Sequence, residues 1–185
     1  EALSETKVLL MSYSNMKPLS SEYHKYIADW VKSGGVLVYC GRDNDPFQTV
    51  QEWWNKETNK YERPSDHLFE IMNLNLYPDE GQYKFGKGII HIIRKDPKEF
   101  VLEKNMDEQL VNVVKKLYDR KGTALSFKNY FSLTRGSYEI ISVLDESIDS
   151  TPYTMKGTFI DLFEPQLPII NSKIIHPGEQ AYLLN

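Results

Sequence analysis

Cys40, Arg42 and Asp43 sit close together in the run "VLVYCGRDNDPF" (Val36 to Phe47), and Cys40 is the chain's one cysteine. A cysteine attacks as its thiolate, and a guanidinium or a helix N-terminus beside it lowers the pKa that controls this. Attack also needs a general base, usually an imidazole. The chain has four histidines: His24, His67, His91 and His176. His24 falls on an expected helix and His91 in the middle of an expected strand. His176 stands beside Pro177-Gly178. His67 lies nearest a loop, yet no spacing ties it to Cys40. A nucleophile elbow wants small residues on both sides, and here Tyr39 precedes the cysteine. Two readings stand. Either Cys40 is a nucleophile helped by Arg42 and Asp43, or it is a small buried hydrophobe that ends a strand. The missing base and the bulky neighbour favour the second.

The remaining polar groups form no catalytic pattern. Asp43, Asp45, Asp66, Asp79 and Glu80 are scattered through loops, whereas a glycosidase needs two carboxyl groups facing one sugar bond. No His-x-x-x-His, His-Glu-x-x-His or acidic calcium loop occurs, and "FGKG" (Phe85 to Gly88) reads as a strand turn rather than a phosphate loop. No catalytic residue, metal or cofactor is therefore assigned. Trp53 and Trp54 are a different matter, because aromatic faces with polar tips bind sugars or other chains. On a helix, neighbouring residues point about 100° apart, so one ring can enter the core while the other meets a partner. The ligand-binding candidates are Cys40, Arg42, Asp43, Trp53 and Trp54.

These residues need a scaffold. "KVLLMSY" (Lys7 to Tyr13) reads as a strand buried on both faces. Tyr23, Tyr26, Ile27, Trp30 and Val31 then form one stripe of a helix. Ser20 or Ser21 can cap its start, and Gly34-Gly35 can end it. "VLVYC" is a second buried strand, so the segment reads as a βαβ unit with parallel strands. "DPFQ", "DPKE" and "NMDE" each place Asp or Asn three residues before Gln or Glu, as in a capping box, and two carry Pro at the first helical position. Asp45 and Asp96 are thus expected caps. Residues 55 to 66 read as a loop and "HLFEIM" as a short helix. "GQYKFGKGIIHIIRK" reads as a hairpin, and Met106 to Tyr118 as a helix stopped by Gly122. Beyond that, "YFSLTRG", "YEIISVLDE", "GTFIDLFEP", "PIINSKIIHPG" and "QAYLLN" are short strands with turn residues between them, which signal an antiparallel sheet or sandwich. The expected division is an α/β domain over 1–122 and a small all-β domain over 123–185, with the boundary near Lys121 to Ala124.

The chain has 185 residues, 41% hydrophobic and 26% charged, with a formal net charge of -4. That composition is ordinary for a soluble globular protein. The charge argues against a nucleic-acid partner, because no basic excess exists to release counterions. No apolar run reaches the ~18 residues of a membrane helix. A lone cysteine rules out an intrachain disulfide but does not decide among cytoplasm, periplasm and exterior. "EALSETKVLL", with no Met and no leader pattern, reads as an internal cut from a longer chain.

The stretch "MKPLSSEYHKYIADWVKSGGVLVYCGRDNDPF" resembles class I glutamine-amidotransferase-like, flavodoxin-like domains. More narrowly, it resembles those carried behind the catalytic barrel of large bacterial glycoside hydrolases, such as the trimerisation domain of family 42 β-galactosidases. The strand "VLLMSY", the loop "MKP", the helix ending "WVKSGG" and the strand "VLVYCG" carry the likeness. "FSLTRGSYEIISVLDES", "KGTFIDLFEPQLPII" and "IIHPGEQAYLL" resemble the small β-domain that closes such enzymes. The resemblance implies a flavodoxin-like parallel sheet flanked by helices, followed by a sandwich-like β-domain. It also implies a non-catalytic accessory region that serves domain packing or oligomerisation. The implied partners are an upstream catalytic domain of the same chain, further copies of the chain, or carbohydrate. No Gly-x-Cys-x-Gly elbow and no following His-x-Glu pair appear, as such domains lose their triad. Cys40 departs from the pattern by sitting on a different strand from the family's nucleophile. Two rivals remain, a small-molecule enzyme using Cys40 and a glycan- or protein-binding module.

Overall fold

The computed structural model describes residues 3–56, 58, 60–120, 122, 124–147 and 149–185. Lys121 and Thr123 at the expected boundary, Glu57 and Asn59 in the expected loop, and Glu1 and Ala2 at the expected cut lie outside the described residues. The chain divides into two compact units, Glu1–Leu125 and Ser126–Asn185.

The first unit is α/β. Its strands are β1 (Val8–Met11), β2 (Val36–Cys40), β3 (Gly81–Phe85) and β4 (Gly88–Ile93), in the spatial order β1-β2-β4-β3. β1, β2 and β4 run parallel, and β3 returns antiparallel to β4 through the hairpin at Gly86. β2 lies between two neighbours and all five of its residues are buried. β1 is not buried on both faces as expected. It pairs on one side only, so it is an edge strand, and Leu10 stays half exposed.

Two cores follow from the alternation of side chains along the strands. Leu37, Tyr39, Ile90 and Ile92 face α1 (Glu22–Lys32) and α2 (Pro64–Ile71). Val36, Val38 and Cys40 face α3 (Pro97–Leu102) and α4 (Met106–Asp119) through Phe100 and Leu117. α1 buries only part of the expected stripe: Ile27, Trp30 and Val31 pack into the core. Its inward line is His24, Ile27, Ala28 and Val31, while Tyr23 and Tyr26 are exposed. Tyr23 and Tyr26 stay outside because a tyrosine is at home with its ring flank in water, and His24 takes an inward place that its polarity does not signal. Gly34, at a φ of 125°, and Gly35 end the helix with N–H groups on the carbonyls of Val31 and Trp30.

The caps differ from one another. Asp96 and Glu99 form the reciprocal capping box of α3. Asp45 accepts from the Phe47 N–H, but it opens only a 3-10 turn, Pro46–Thr49. Asn105 makes no side-chain cap. It is left-handed at a φ of 64° in the tight junction between α3 and α4, whereas a capping residue has an extended backbone. At the start of α2 only half of such a box is present: Asp66 accepts from the Arg63 N–H at 3.1 Å, and Arg63 has no side-chain acceptor to return the bond.

The second unit is an antiparallel sheet of β5 (Tyr130–Arg135), β6 (Tyr138–Val143), β7 (Tyr153–Asp161), β8 (Ile169–Ile175) and β9 (Gln180–Leu184), in the order β5-β6-β9-β7-β8. It is one hydrogen-bonded sheet, not two separate ones. The first half of β7 pairs only with β8, a bulge follows between Lys156 and Phe159, and the second half reaches β9. The bulge bends the sheet over its own core. Tyr130 and Tyr153 therefore meet at 4.1 Å between ring centroids, although β5 and β7 are not neighbours in the sheet.

Candidate functional site

In an open parallel sheet, the carboxyl ends of the strands are where ligands bind. Here three such ends deliver Ser12 to Ser14 after β1, Gly41 to Asp45 after β2, and Arg94 to Asp96 after β4.

Asp43 is the centre of this end. It is buried and held left-handed at a φ of 52°. Its Oδ1 accepts from the Tyr39 hydroxyl at 2.6 Å, and its Oδ2 accepts from Ser65 Oγ at 2.9 Å and an Arg94 guanidinium nitrogen at 3.2 Å. Arg94 also donates to the carbonyls of Pro78 and Gly41. Its guanidinium carbon lies 3.8 Å from the Tyr77 ring centroid, and that of Arg63 lies 4.4 Å from the same ring. Burial, with the Asp43 carboxylate beside it, holds the Tyr39 phenol well above its ordinary pKa, so it stays a donor.

Arg42 leaves this cluster for the surface. It makes a two-point contact with Glu99 at 2.8 and 2.6 Å, and its backbone N–H donates to Asp96. The Arg42 hydrogen bond lowers Glu99 to about 2. An open cleft of about 570 Å³ lies here, lined by Arg42, Tyr77, Glu80, Arg94 and Lys95 among others. Two of its charged side chains are engaged: Glu80 accepts from the Arg94 backbone N–H, and Lys95 donates to Glu103.

Cys40 points to the opposite face of the sheet from Tyr39. It lies among Val36, Val38, Phe100 and Leu117, 3% exposed, and burial pushes its thiol up to about 12. It makes no hydrogen bond to an imidazole among the described residues. Iodoacetamide at pH 8 is therefore expected to modify Cys40 about 1,000-fold more slowly than a free thiol, because so little thiolate forms. Mass spectrometry should find full modification only after denaturation, and rapid labelling of the folded protein would return Cys40 to the list of nucleophiles.

The tryptophans belong to a second cluster. Past the 3-10 turn the chain runs in turns rather than in a helix, and the rings of Trp53 and Trp54 stand nearly perpendicular, 5.7 Å apart. Trp54 is buried and donates to the Gln48 carbonyl at 2.9 Å. Trp53 donates to the Pro18 carbonyl at 2.7 Å and packs edge-on against His24 and His67. The Nδ1 atoms of those two imidazoles lie 2.8 Å apart, and His24 Nε2 is 2.7 Å from the Tyr13 hydroxyl.

The structure thus brings Arg42 and Asp43 to one end of the sheet, turns Cys40 into the opposite core, and places Trp53 and Trp54 around a histidine pair. Sequence reading missed Arg94 and Ser65 as partners of Asp43, Tyr77 as the ring against Arg94, and His24 as a buried group. Arg94 had one available signal: it follows β4 as Arg42 follows β2. Among the described residues, no group of three or more His, Cys, Asp or Glu is placed to hold a metal ion, and no helix is long and apolar enough to cross a membrane.

No protein-family model matches the chain, and no curated protein matches it. Among solved structures it is similar to a beta-galactosidase from Bacillus circulans sp. alkalophilus, at 14% identity and a TM-score of 0.45. The alignment covers 99% of this chain and 33% of that one, so the chain spans about a third of the length of the protein it matches.

Proposed function

We propose that the chain is a non-catalytic accessory region of a larger carbohydrate-active protein, a glycoside hydrolase, and serves domain packing or oligomerisation. In this reading the first unit is a flavodoxin-like, amidotransferase-type domain that has lost its triad, and the second is the β-domain that closes such proteins. The observation that carries it is the state of the polar groups at the strand ends. Catalysis needs a nucleophile, a base or a set of donors aimed at open space. Here both oxygens of Asp43, the guanidinium of Arg94 and that of Arg42 are already engaged with other groups of the same unit. The buried thiol of Cys40 adds no nucleophile. The sequence resemblance points the same way.

Incubation with a panel of aryl glycosides tests the reading. No release of the aryl group above the uncatalysed rate is expected. Turnover that survives purification and disappears in Asp43→Asn or Glu99→Gln would overturn it.

A further inference from the structure

The histidine pair is not used by the proposed function, and its geometry has a consequence. His24 lies in the first turn of α1 and is fully buried, and His67 lies in the first turn of α2. At 2.8 Å, one proton fits between their Nδ1 atoms: one ring donates and the other accepts. The neutral pair fits two arrangements: His24 Nδ1–H donating to His67 with the Tyr13 hydroxyl donating to His24 Nε2, or His67 Nδ1–H donating to His24 with His24 Nε2–H donating to the Tyr13 oxygen. A first added proton makes His67 a cation that donates from Nδ1. His24 then carries its proton on Nε2 and donates it to the Tyr13 oxygen. A second added proton sets N–H against N–H between two cations, and the bond between α1 and α2 is lost.

We propose that the His24–His67 pair is an acid-sensitive latch that holds α2 and the Trp53 segment on α1 at neutral pH and releases them on acidification. Every element packed around the pair bears on its protonation. From the chain after β1 comes the Tyr13 phenol, itself under the influence of Asp43. From α1 comes Lys25, which opposes a charge on His67. From α2 comes Glu70, which favours one. Glu70 is itself engaged by the Tyr61 hydroxyl. The loop before α2 supplies the uncharged rings of Trp53 and Tyr61, at 5.2 Å from His67. Both residues also lie in the first turn of their own helix, whose positive end disfavours a cation. Burial lowers His24 to about 3, with His67 adding to the effect, and burial lowers His67 as well.

The sign follows from linkage. Both pKa values lie below the ordinary histidine value of ~6.5, so the released state binds protons more readily than the latched one. The latch is complete above that pH and weakens as the pH falls below it. With His24 free to titrate at ~6.5 once released, opening at pH 5 is about 30-fold more frequent than at pH 7.5.

Hydrogen exchange read by mass spectrometry, corrected for intrinsic exchange rates, tests this on the whole chain. Protection of α2 and residues 50–56 is expected to fall about 30-fold between pH 7.5 and pH 5 in the wild type, and no more than a few-fold in His24→Gln. His91, on the other face of the sheet, contributes equally to both proteins and cancels in the comparison. Equal loss in the two proteins, or no loss in the wild type, would overturn the latch. If His24→Gln does not fold, the C2–H proton resonances of the wild type decide: both imidazoles titrating independently near 6.5 would also overturn it.

Discussion

Asp43→Ala is expected to lower the stability of the first unit by about 3–5 kcal/mol, the usual cost of removing one partner of a buried ion pair. Three donors are affected. The Tyr39 hydroxyl and Ser65 Oγ lose a buried acceptor, and Arg94 loses its buried counter-charge. The backbone adds a further ~1 kcal/mol, because Asp43 is left-handed and alanine is poorly suited to that conformation. Asp43→Asn separates these contributions. Asparagine tolerates the left-handed backbone and keeps one acceptor, so a smaller loss of about 1–3 kcal/mol is expected, from the counter-charge that Arg94 still loses and from an amide N–H facing Ser65 or Arg94. Urea titrations give both numbers, provided the slope of the transition is unchanged. The sign is as informative as the size. A carboxylate kept for a ligand is commonly held at a cost to the fold, and removing it stabilises. If Asp43→Asn stabilised the protein, the reading of the strand ends as an internally satisfied scaffold would fail, and the cleft beside Arg94 would become a binding site.

Such a hub could not be read from the chain. Tyr39 and Asp43 are four residues apart, but Ser65 comes from the start of α2 and Arg94 from the end of β4. Pairings of that length leave no periodic mark. What was legible was local. "VLVYC" is uninterrupted and apolar because neighbours cover it on both edges and helices on both faces. The "FGKG" turn fixes the β3–β4 hairpin. The five strands of the second unit follow from short strand-like runs broken by Gly, Pro, Asp and Ser. Where the local signal was ambiguous, tertiary context decided. "KVLLMSY" has the composition of a central strand and stands at an edge. The tyrosines of α1 outscored His24 as apolar residues, yet the buried position went to the smaller ring that finds partners in Tyr13 and His67. "NMDE" has the letters of a capping box, but the sharp link from α3 makes Asn105 left-handed. Arg42 and Asp43 could be placed at a strand end from the sequence, whereas their partners and the direction of Cys40 could not.

Gly88→Ala is expected to be as damaging as the loss of Asp43, for a reason confined to the backbone. Gly88 opens β4, where the strand crosses the end of α1. A Cβ there would lie 1.9 Å from the Val31 carbonyl oxygen and 2.5 Å from that of Gly35. Neither atom can rotate away as a side chain would, so the strand and the helix end must separate. Two hydrogen bonds fasten this junction: Lys87 N–H to the Lys32 carbonyl at 2.9 Å, and Ile89 N–H to the Gly35 carbonyl at 3.1 Å. Losing both costs about 2 kcal/mol, and overpacking adds 1–3 kcal/mol, for a total of about 3–5 kcal/mol. In a unit of this size that corresponds to a fall in Tm of more than 10 °C. The displacement also travels along β4 to Arg94, so the same variant should loosen the contacts around Asp43. Gly136→Ala is the control. It too is a turn glycine, at a φ of 59°, but a Cβ there meets nothing within 4 Å, and only the left-handed penalty of about 1 kcal/mol applies. A Gly88→Ala protein that melts within 2 °C of the wild type would show that β4 does not ride against the end of α1. The frame that holds Arg94 over Asp43 would then have to be sought elsewhere in the unit.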